Sequence, residues 1–226
     1  MNEKKDCLAL AVWLAAEMLR CGGETYRAEE CCLNILHTYG AEDISVIALP
    51  TALLVSAEID GVHRTESASI KLRGTDLRGI ERINRVSRRV SSGVISVEEG
   101  FAEAGEHGRE IPFFLLCLFG SLSAGCFSVI FGGGFVDFIP AFLAAVVAQC
   151  FKRLVDKVSH YSFFSTMGGC MITTAFARMA VQLCANCNQD AIIIGGIMSM
   201  LPGLAITNAL RDTIHGDLVS GVARGV

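Results

Sequence analysis

The hydrophobic positions in the first 110 residues follow a helical period at both ends and a strand period between them. Apolar residues at helical spacing predict four helices, over residues 6–21, 25–39, 76–92 and 97–106. Alternating and β-branched residues predict three strands after the second helix, over residues 44–49, 51–59 and 62–72. Gly22-Gly23 and Gly40 end the first two helices, and Asp60-Gly61 forms a hairpin turn. The pattern therefore predicts a small α+β domain over residues 1–110.

After residue 110 the pattern changes to long apolar runs separated by short polar turns. A membrane-spanning helix needs about 20 largely apolar residues. Four runs of this kind predict spans near residues 111–131, 136–151, 161–184 and 191–210. Backbone polar groups in lipid must bond to one another, so these spans should be helical. We therefore predict a membrane protein in which an α-helical transmembrane bundle of four spans, residues 111–226, follows the α+β domain.

The distribution of charge supports this division and orients it. Of all residues 52% are hydrophobic and 19% are charged. Residues 1–110 hold 13 Lys/Arg and 18 Asp/Glu, whereas residues 111–226 hold 6 and 5. The predicted loop 152–160 carries three basic residues and its two neighbouring loops carry none, so residues 1–110, this loop and the stretch after Leu210 are expected in the cytoplasm. The net charge of −4 gives no reason to expect nucleic-acid binding.

Sequence motifs of enzymes, cofactor sites and metal sites are absent from the chain. The five histidines are scattered, and no HExxH, G-x-S-x-G, P-loop or dinucleotide fingerprint occurs. We expect no catalytic activity, cofactor or metal. Among the ten cysteines only Cys184 and Cys187 have a suggestive spacing, which fits either a redox pair or packed free thiols.

Several polar side chains in the second half are not explained by helix packing. Arg178 lies within the third predicted span, where it either faces a cavity or partner or extends to the outer interface. Pro202-Gly203 interrupts the fourth span, and broken helices in transporters expose backbone groups that bind substrate and coupling ion. A cluster of polar residues follows the break: Thr207, Asn208, Arg211, Asp212, Asp217, Ser220 and Arg224.

Basic residues also line one side of the predicted helix 76–92. They are Arg78, Arg82, Arg85, Arg88 and Arg89. Such a face is either solvated or in contact with anionic lipid headgroups of the inner leaflet.

Two stretches resemble the motifs of a known family. The run from Leu201 to Arg224 resembles the signature of the threonine/serine exporter family. The run Gly-Gly-Glu-Thr-Tyr-Arg-Ala-Glu over 22–29 resembles the other motif of that family, through Gly23, Glu24, Thr25, Arg27 and Glu29. A local alternative is that Thr25 caps a helix while Arg27 pairs with Glu24 or Glu30.

The resemblance implies proton-motive-force-driven export of a small metabolite across a bacterial inner membrane. Within the family the chain resembles the large subunit of a split, two-component form, whose relatives include a succinate exporter. A small membrane subunit is therefore expected as a partner, in an oligomer, with the small-residue stripes of the first and third spans as contact faces. The family pattern continues into a fifth membrane helix, whereas the sequence ends at Val226, so we expect a truncated sequence with residues 211–226 at the start of that helix.

The expected site follows from the chemistry of such a substrate. A carboxylate is best bound by arginine forks and free N–H groups. We expect the substrate near Pro202 and Gly203, in reach of Thr207, Asn208 and either Arg178 or Arg211. Proton coupling needs a carboxylate that changes its protonation, for which Asp212, Asp217 and Asp137 are open candidates. The competing hypotheses are a membrane-tethered cytoplasmic enzyme or sensor and a passive channel or scaffold subunit.

Overall fold

A computed structural model describes residues 3–71, 74–105, 111–158 and 162–225. Contacts between Cα atoms divide the chain into two compact units. The first unit combines residues 1–109 with residues 202–226, and the second comprises residues 110–201. The predicted fourth span, 191–210, is therefore divided between the units, because the helix breaks between Met198 and Gly203.

The N-terminal part of the first unit has the predicted α+β architecture. Its helices are α1 Glu3–Arg20, α2 Thr25–Thr38, α3 Leu77–Ser91 and α4 Val97–Gly105. Its strands are β1 Glu42–Leu49, β2 Ala52–Ile59 and β3 Val62–Ser69. The predicted ends of the third strand at Leu72 and of the fourth helix at Glu106 lie outside the described residues.

The three strands form an antiparallel sheet in sequence order, so β2 is its central strand. Alternate residues of β2 face the core, and Leu53, Val55 and Ala57 are fully buried. The turn predicted at Asp60-Gly61 is present, and both residues have positive φ angles, 53° and 75°. One face of the sheet is thus covered by helices, as alternating burial requires.

Helix α1 is the centre of this core. Its apolar side chains are buried on all sides of the helix, and they include Leu8, Leu10, Leu14, Met18 and Leu19. It contacts α2, α3, α4 and strands β2 and β3. An apolar helix of this kind is stable because neighbouring elements cover every face.

Two further helices, α9 Gly203–Ile214 and α10 Leu218–Gly225, belong to the first unit. Between them the chain turns at Gly216, and the Asp217 N–H donates to the Asp212 carbonyl at 2.9 Å. Residues 211–225 are therefore not one continuous helix, and the prediction that this stretch begins a further membrane helix stays a prediction. They close α9 and form a separate α10.

The second unit is a bundle of four helices. They are α5 Phe113–Ile130, α6 Phe135–Asp156, α7 Ser162–Leu183 and α8 Gln189–Met198. Small residues let these helices approach closely. A Cβ atom on Gly195 would lie 2.5 Å from the Ala124 carbonyl oxygen, and one on Gly168 would lie 2.4 Å from the Phe151 ring. The small-residue stripes of the first and third predicted spans thus pack within this unit, rather than forming an open face for a partner.

Two helices, α5 and α6, are long and apolar enough to cross a membrane. Helices α8 and α9 are long and apolar enough only when taken together, as one broken span or a re-entrant loop. Helix α7 has the length of a span, but it is not apolar enough to qualify by itself. Arg178 and several Ser, Thr and Gly residues lower its hydropathy. The described residues therefore contain two or three candidate spans, and the four predicted spans are not confirmed.

The second predicted span is longer than expected at its C-terminal end. Helix α6 continues to Asp156, so Lys152 and Arg153 are helical rather than part of a loop. Residues 159–160 of the predicted basic loop lie outside the described residues. Large apolar side chains on α5, α6 and α7 remain exposed, including Phe114, Phe119, Phe135, Ile139 and Phe163. Such a surface is typical of helices that face lipid or another membrane subunit.

Candidate functional site

The two stretches that resemble family motifs come together in the first unit. Residues 22–29 form the junction of α1 and α2 and the first turn of α2, and residues 208–224 lie on α9, on α10 and in the turn between them. Seven side chains from the two stretches form what we call the motif cluster: Glu24, Thr25, Asn208, Arg211, Asp212, Asp217 and Arg224.

Glycines at the α1–α2 junction open its backbone to these side chains. Gly22 has a φ of +84°, and a Cβ atom on Gly23 would lie 2.8 Å from the Met18 carbonyl oxygen, so neither position suits a larger residue. The Gly22 carbonyl accepts a hydrogen bond from Asn208 Nδ2 at 2.8 Å. The Gly23 carbonyl accepts one from the Arg224 guanidinium at 2.7 Å. The glycines therefore present two carbonyl acceptors to α9 and α10.

Thr25 does not cap α2, contrary to the local alternative. Glu24 occupies the N-cap position and makes no side-chain capping bond. The fully buried Thr25 hydroxyl instead donates to Asp212 Oδ1 at 2.8 Å and lies 3.3 Å from Asp217 Oδ2. A hydroxyl has one proton to donate, so two carboxylates converge on a single donor.

The cluster contains one buried and one partly exposed ion pair. Arg224 Nε lies 2.9 Å from Asp212 Oδ2, and the two side chains are 8% and 0% exposed. This contact lacks the alignment of a hydrogen bond, so its attraction is mainly Coulombic. Removing one member of such a buried pair typically costs about 3–5 kcal/mol, because an unpaired charge stays behind.

The second pair joins Glu24 to Arg211. Glu24 is 9% exposed, whereas the Arg211 side chain is 43% exposed. Glu24 also pairs with Arg27 at 2.7 Å, which confirms the local pairing considered for Arg27. Of the two arginines in the motif cluster, Arg211 is thus the one with access to solvent.

Glu29, the last residue of the first motif, lies beside this network. Its Oε1 accepts a hydrogen bond from the Ala48 N–H at 3.1 Å, which links α2 to β1. Burial raises the pKa of the Glu29 carboxyl, the Ala48 bond opposes this, and the carboxylates of Asp217 and Asp212 raise it further. Glu29 is therefore the described motif residue whose environment most clearly favours the protonated form.

A small cavity of about 160 Å³ adjoins the cluster within the first unit. Its polar wall is formed by Glu24, Arg27 and Asn208, and its apolar wall by Leu77, Ile80 and Leu204. Pockets for drug-sized ligands usually measure about 300–1,000 Å³. At roughly 30 Å³ per water, this one has room for about five waters or one small metabolite.

The other predicted substrate residues lie at the beginning of α9. Pro202 is the N-cap residue of this helix and Gly203 its first residue, as expected for a break at this position. Thr207 is exposed and donates to the Gly203 carbonyl at 2.9 Å. Ser220 is buried on α10. These residues share the unit of the motif cluster, but only Asn208 and Arg211 of the predicted substrate residues make contacts within it.

Arg178 and Asp137 belong to the second unit. Arg178 is exposed on α7 and donates to Gln189 Oε1 at 3.3 Å. Asp137 is buried, and its two oxygens accept from the Gly134 and Asn188 N–H groups, both at 2.7 Å. Asp137 therefore joins the beginning of α6 to that of α8, and both of its oxygens already have strong donors.

Two aromatic residues beside the site, Tyr26 and His215, were not singled out by the sequence reasoning. The rings of Tyr26 and His215 stack with their centroids 4.9 Å apart and their planes 5° from parallel. Tyr26 stands between motif residues Thr25 and Arg27, and His215 lies three residues after Asp212. Their positions within the two motifs were the only sequence feature that could have identified them as site residues. The described residues contain no group of three or more His, Cys, Asp or Glu that could hold a metal ion.

The balance of charge determines what the cluster can do. The motif cluster holds three carboxylates and two guanidinium groups, Glu24, Asp212 and Asp217 with Arg211 and Arg224, and Glu29 and Arg27 adjoin it. Among these carboxyls, Glu29 has a pKa that is raised by burial. Arg211 and Arg27 have side chains that are each 43% exposed, so they present guanidinium groups to solvent beside these carboxylates.

Comparison with known proteins gives a consistent picture. The family described as "Putative threonine/serine exporter" matches residues 9–226. The "Probable threonine/serine exporter" of Mycobacterium tuberculosis is 25% identical over 225 residues, which are 97% of this chain and 42% of that protein. The "Probable succinate transporter subunit YjjP" is 21% identical in Klebsiella aerogenes and 19% in Escherichia coli, over 99% of this chain and 87% and 88% of those proteins. These are names of transporters rather than enzymes. No solved structure matches the chain.

Proposed function

Because the chain belongs to the threonine/serine exporter family, we propose that it is a subunit of a secondary, proton-driven exporter of small carboxylic metabolites across the bacterial inner membrane. The observation that carries this proposal is the motif cluster. Both stretches with family resemblance contribute to it, and their charged groups contact one another rather than solvent alone. Burying charged groups costs free energy, so a cluster of this kind is expected where the charges pair with one another or serve a function.

The substrate is a small acid, either threonine or serine or a dicarboxylate such as succinate. Relatives with both kinds of name are similar to the chain over nearly its whole length. The exposed guanidinium of Arg211 is the main candidate to bind a substrate carboxylate, since it needs to release only Glu24. The approach along α9 would be lined by Pro202, Gly203, Thr207 and Asn208. Arg178 is a second candidate cation for the substrate carboxylate.

Proton coupling would use the carboxylates that converge on Thr25. Protonation of Asp212 or Asp217 weakens the hold of the first motif on α9 and α10, because a neutral acid attracts Arg224 less. Glu29, with its raised pKa, adds a third proton acceptor beside them. Asp137 is the third candidate, and its two oxygens accept hydrogen bonds from the Gly134 and Asn188 N–H groups in the second unit.

Contacts in the first unit also bear on the number of membrane crossings. The hydrogen bond between Thr25 and Asp212 supports a topology in which the N-terminal domain and the C-terminal end of α9 lie on the same side of the membrane. In that topology an even number of crossings separates them. Helices α5 and α6 provide two, and a crossing by the pair α8–α9 requires α7 to cross as well. Four spans, with this shared side in the cytoplasm as the basic residues indicate, are the topology we propose.

A small membrane subunit is the proposed partner. The chain spans 42% of the Mycobacterium relative but 87% of the Klebsiella protein whose name contains "subunit". Transporters commonly pair two repeats about a site near the middle of the membrane, and no second Pro-Gly break of this kind occurs among the helices α5 to α8. The exposed apolar side chains of α5 and α6 offer a surface for such a subunit.

Transport by purified protein is the test. The chain would be reconstituted in liposomes with and without a co-expressed small membrane protein from the same organism, and efflux of threonine, serine and succinate measured. We expect efflux of at least one of these acids with both proteins present. A chain that moves none of them under any gradient, or moves them only down their own gradient, contradicts the proposal and favours a scaffold or a passive channel.

A further inference from the structure

The second unit contains a cavity of about 720 Å³ at the end where α5 begins and α6 ends. One wall is apolar and comes from α5, and the other is charged and comes from the last turns of α6. The lining residues that matter here are Phe113, Leu116, Lys152, Arg153, Asp156 and Lys157. The cavity therefore joins a basic rim to an apolar wall.

The basic rim carries a net positive charge in the part of the chain that the structure describes. It has three cations and the single carboxylate of Asp156. Among the described residues, none of Lys152, Arg153 and Lys157 forms an ion pair. The Arg153 guanidinium lies 4.0 Å from the centroid of the Phe113 ring, which fixes it at the cavity through a cation–π contact. A positioned guanidinium with free donors is suited to an anion such as a phosphate.

The beginning of α5 adds a second, independent preference for an anion. Pro112 is the N-cap residue of this 18-residue helix, and no side chain caps it. The first N–H groups of a helix have no partner within it, and this end carries partial positive charge. Ile111, Pro112 and Phe113 line the same cavity as the three cations. Backbone and side chains thus favour negative charge in one place.

We propose that this cavity binds the headgroup of an anionic phospholipid. The phosphate would contact Lys152, Arg153 and the start of α5, and the acyl chains would follow the apolar surface that includes Leu116 and Leu154, both exposed. The occupant is a lipid rather than a soluble acid because α5 and α6 are the two helices that qualify as spans, and the cavity lies where they end. Basic pockets between membrane helices at this level commonly bind anionic headgroups.

Lipid binding by the purified full chain in detergent tests the proposal. Native mass spectrometry would compare phosphatidylglycerol with phosphatidylcholine of identical acyl chains. We expect phosphatidylglycerol to bind about tenfold more tightly or better, and the variant Lys152→Gln/Arg153→Gln/Lys157→Gln to lose this preference. Equal affinity for the two lipids, or an unchanged preference in the variant, would overturn the proposal.

A matched variant removes three exposed cations of the first unit, Arg78→Gln/Arg85→Gln/Arg88→Gln. This variant should keep the preference for phosphatidylglycerol. If it lost the preference while the Lys152/Arg153/Lys157 variant kept it, the lipid would bind on α3 instead. Wild-type protein provides a measurement that does not depend on folding of a variant. Phosphatidylglycerol should protect Lys152 and Lys157 from acetylation but not the exposed Lys71. Displacement of the lipid by millimolar succinate or inorganic phosphate would identify a site for small anions and contradict a lipid site.

Discussion

The hydroxyl of Thr25 donates a hydrogen bond of 2.8 Å to Asp212 Oδ1, across 187 positions of the sequence. Both residues are fully buried, and Asp212 is held from its other oxygen by Arg224. The first residue of α2 is thereby fixed to α9. The two motifs are one structural feature, and a change in the protonation of Asp212 acts on both.

Replacement of Thr25 by valine tests this link without changing charge. Valine has nearly the shape of threonine but no hydroxyl, so Thr25→Val leaves the Asp212 carboxylate without its donor. A hydrogen bond to a charged group contributes about 1.5–3 kcal/mol, so we expect a lower thermal midpoint and at least tenfold slower export. Thr25→Ser keeps the hydroxyl and should retain most of the thermal stability and most of the export rate. Equal loss in the two variants would mean that the methyl group, not the hydrogen bond, matters.

Glu29 should make stability depend on pH in a defined direction. Its folded pKa is raised above the usual 4.5, so the favourable effect of its protonated form is complete below pH 4.5 and is lost as the pH rises through the folded value. Glutamine keeps an oxygen that accepts from the Ala48 N–H but carries no charge. We expect Glu29→Gln to raise the thermal midpoint over wild type at pH 7–8, with a difference that disappears towards pH 4. Glu30→Gln, at an exposed position of the same helix, is the control and should show no such trend.

Conservative substitution of the two candidate arginines separates their roles. Lysine keeps the charge of arginine but loses its forked donor geometry. We expect Arg211→Lys to lower export of a carboxylate about tenfold or more with little effect on expression, because it disrupts bidentate binding. Arg178→Lys should have a smaller effect, since Arg178 is exposed and makes one long hydrogen bond. Unchanged efflux in both variants would remove both residues from the mechanism.

The elements of the N-terminal domain were predictable because their signals are local. Hydrophobic period, the glycines after α1 and α2, and Asp60-Gly61 each specify structure within a few residues. The contact of Thr25 with Asp212 was not predictable in this way. Threonine before a helix usually caps it, and only tertiary contact with α9 gives its hydroxyl a stronger acceptor.

The candidate site was predicted in composition but not in pairing. The polar residues after Pro202 were identified because they are rare in that half of the chain, and the structure brings Asn208, Arg211 and Asp212 to the first motif. Hydropathy gave no information on which cation meets which carboxylate. The third predicted span, α7, is long enough to cross a membrane, but its hydropathy alone does not confirm it as a span.

Topology can be measured by cysteine accessibility in intact membranes. In a Cys184→Ser/Cys187→Ser background, a cysteine at the exposed Asn186 should react with an impermeant maleimide from outside the cell. A cysteine at Lys71 should react only after the membrane is opened. The prediction follows from the basic residues near the end of α6 and the even number of crossings. Labelling at residue 186 only in opened membranes would reverse or remove the proposed spans.

The most direct test of the exporter account is simultaneous measurement of proton and substrate movement. Liposomes containing this chain and its small membrane partner would be loaded with a pH-sensitive dye and given an imposed proton gradient, with labelled threonine or succinate outside. The account predicts that the acid accumulates above its external concentration while protons move in the opposite direction, and that a protonophore stops both. Movement of the acid only down its own gradient, with no proton flux linked to it, would contradict the account.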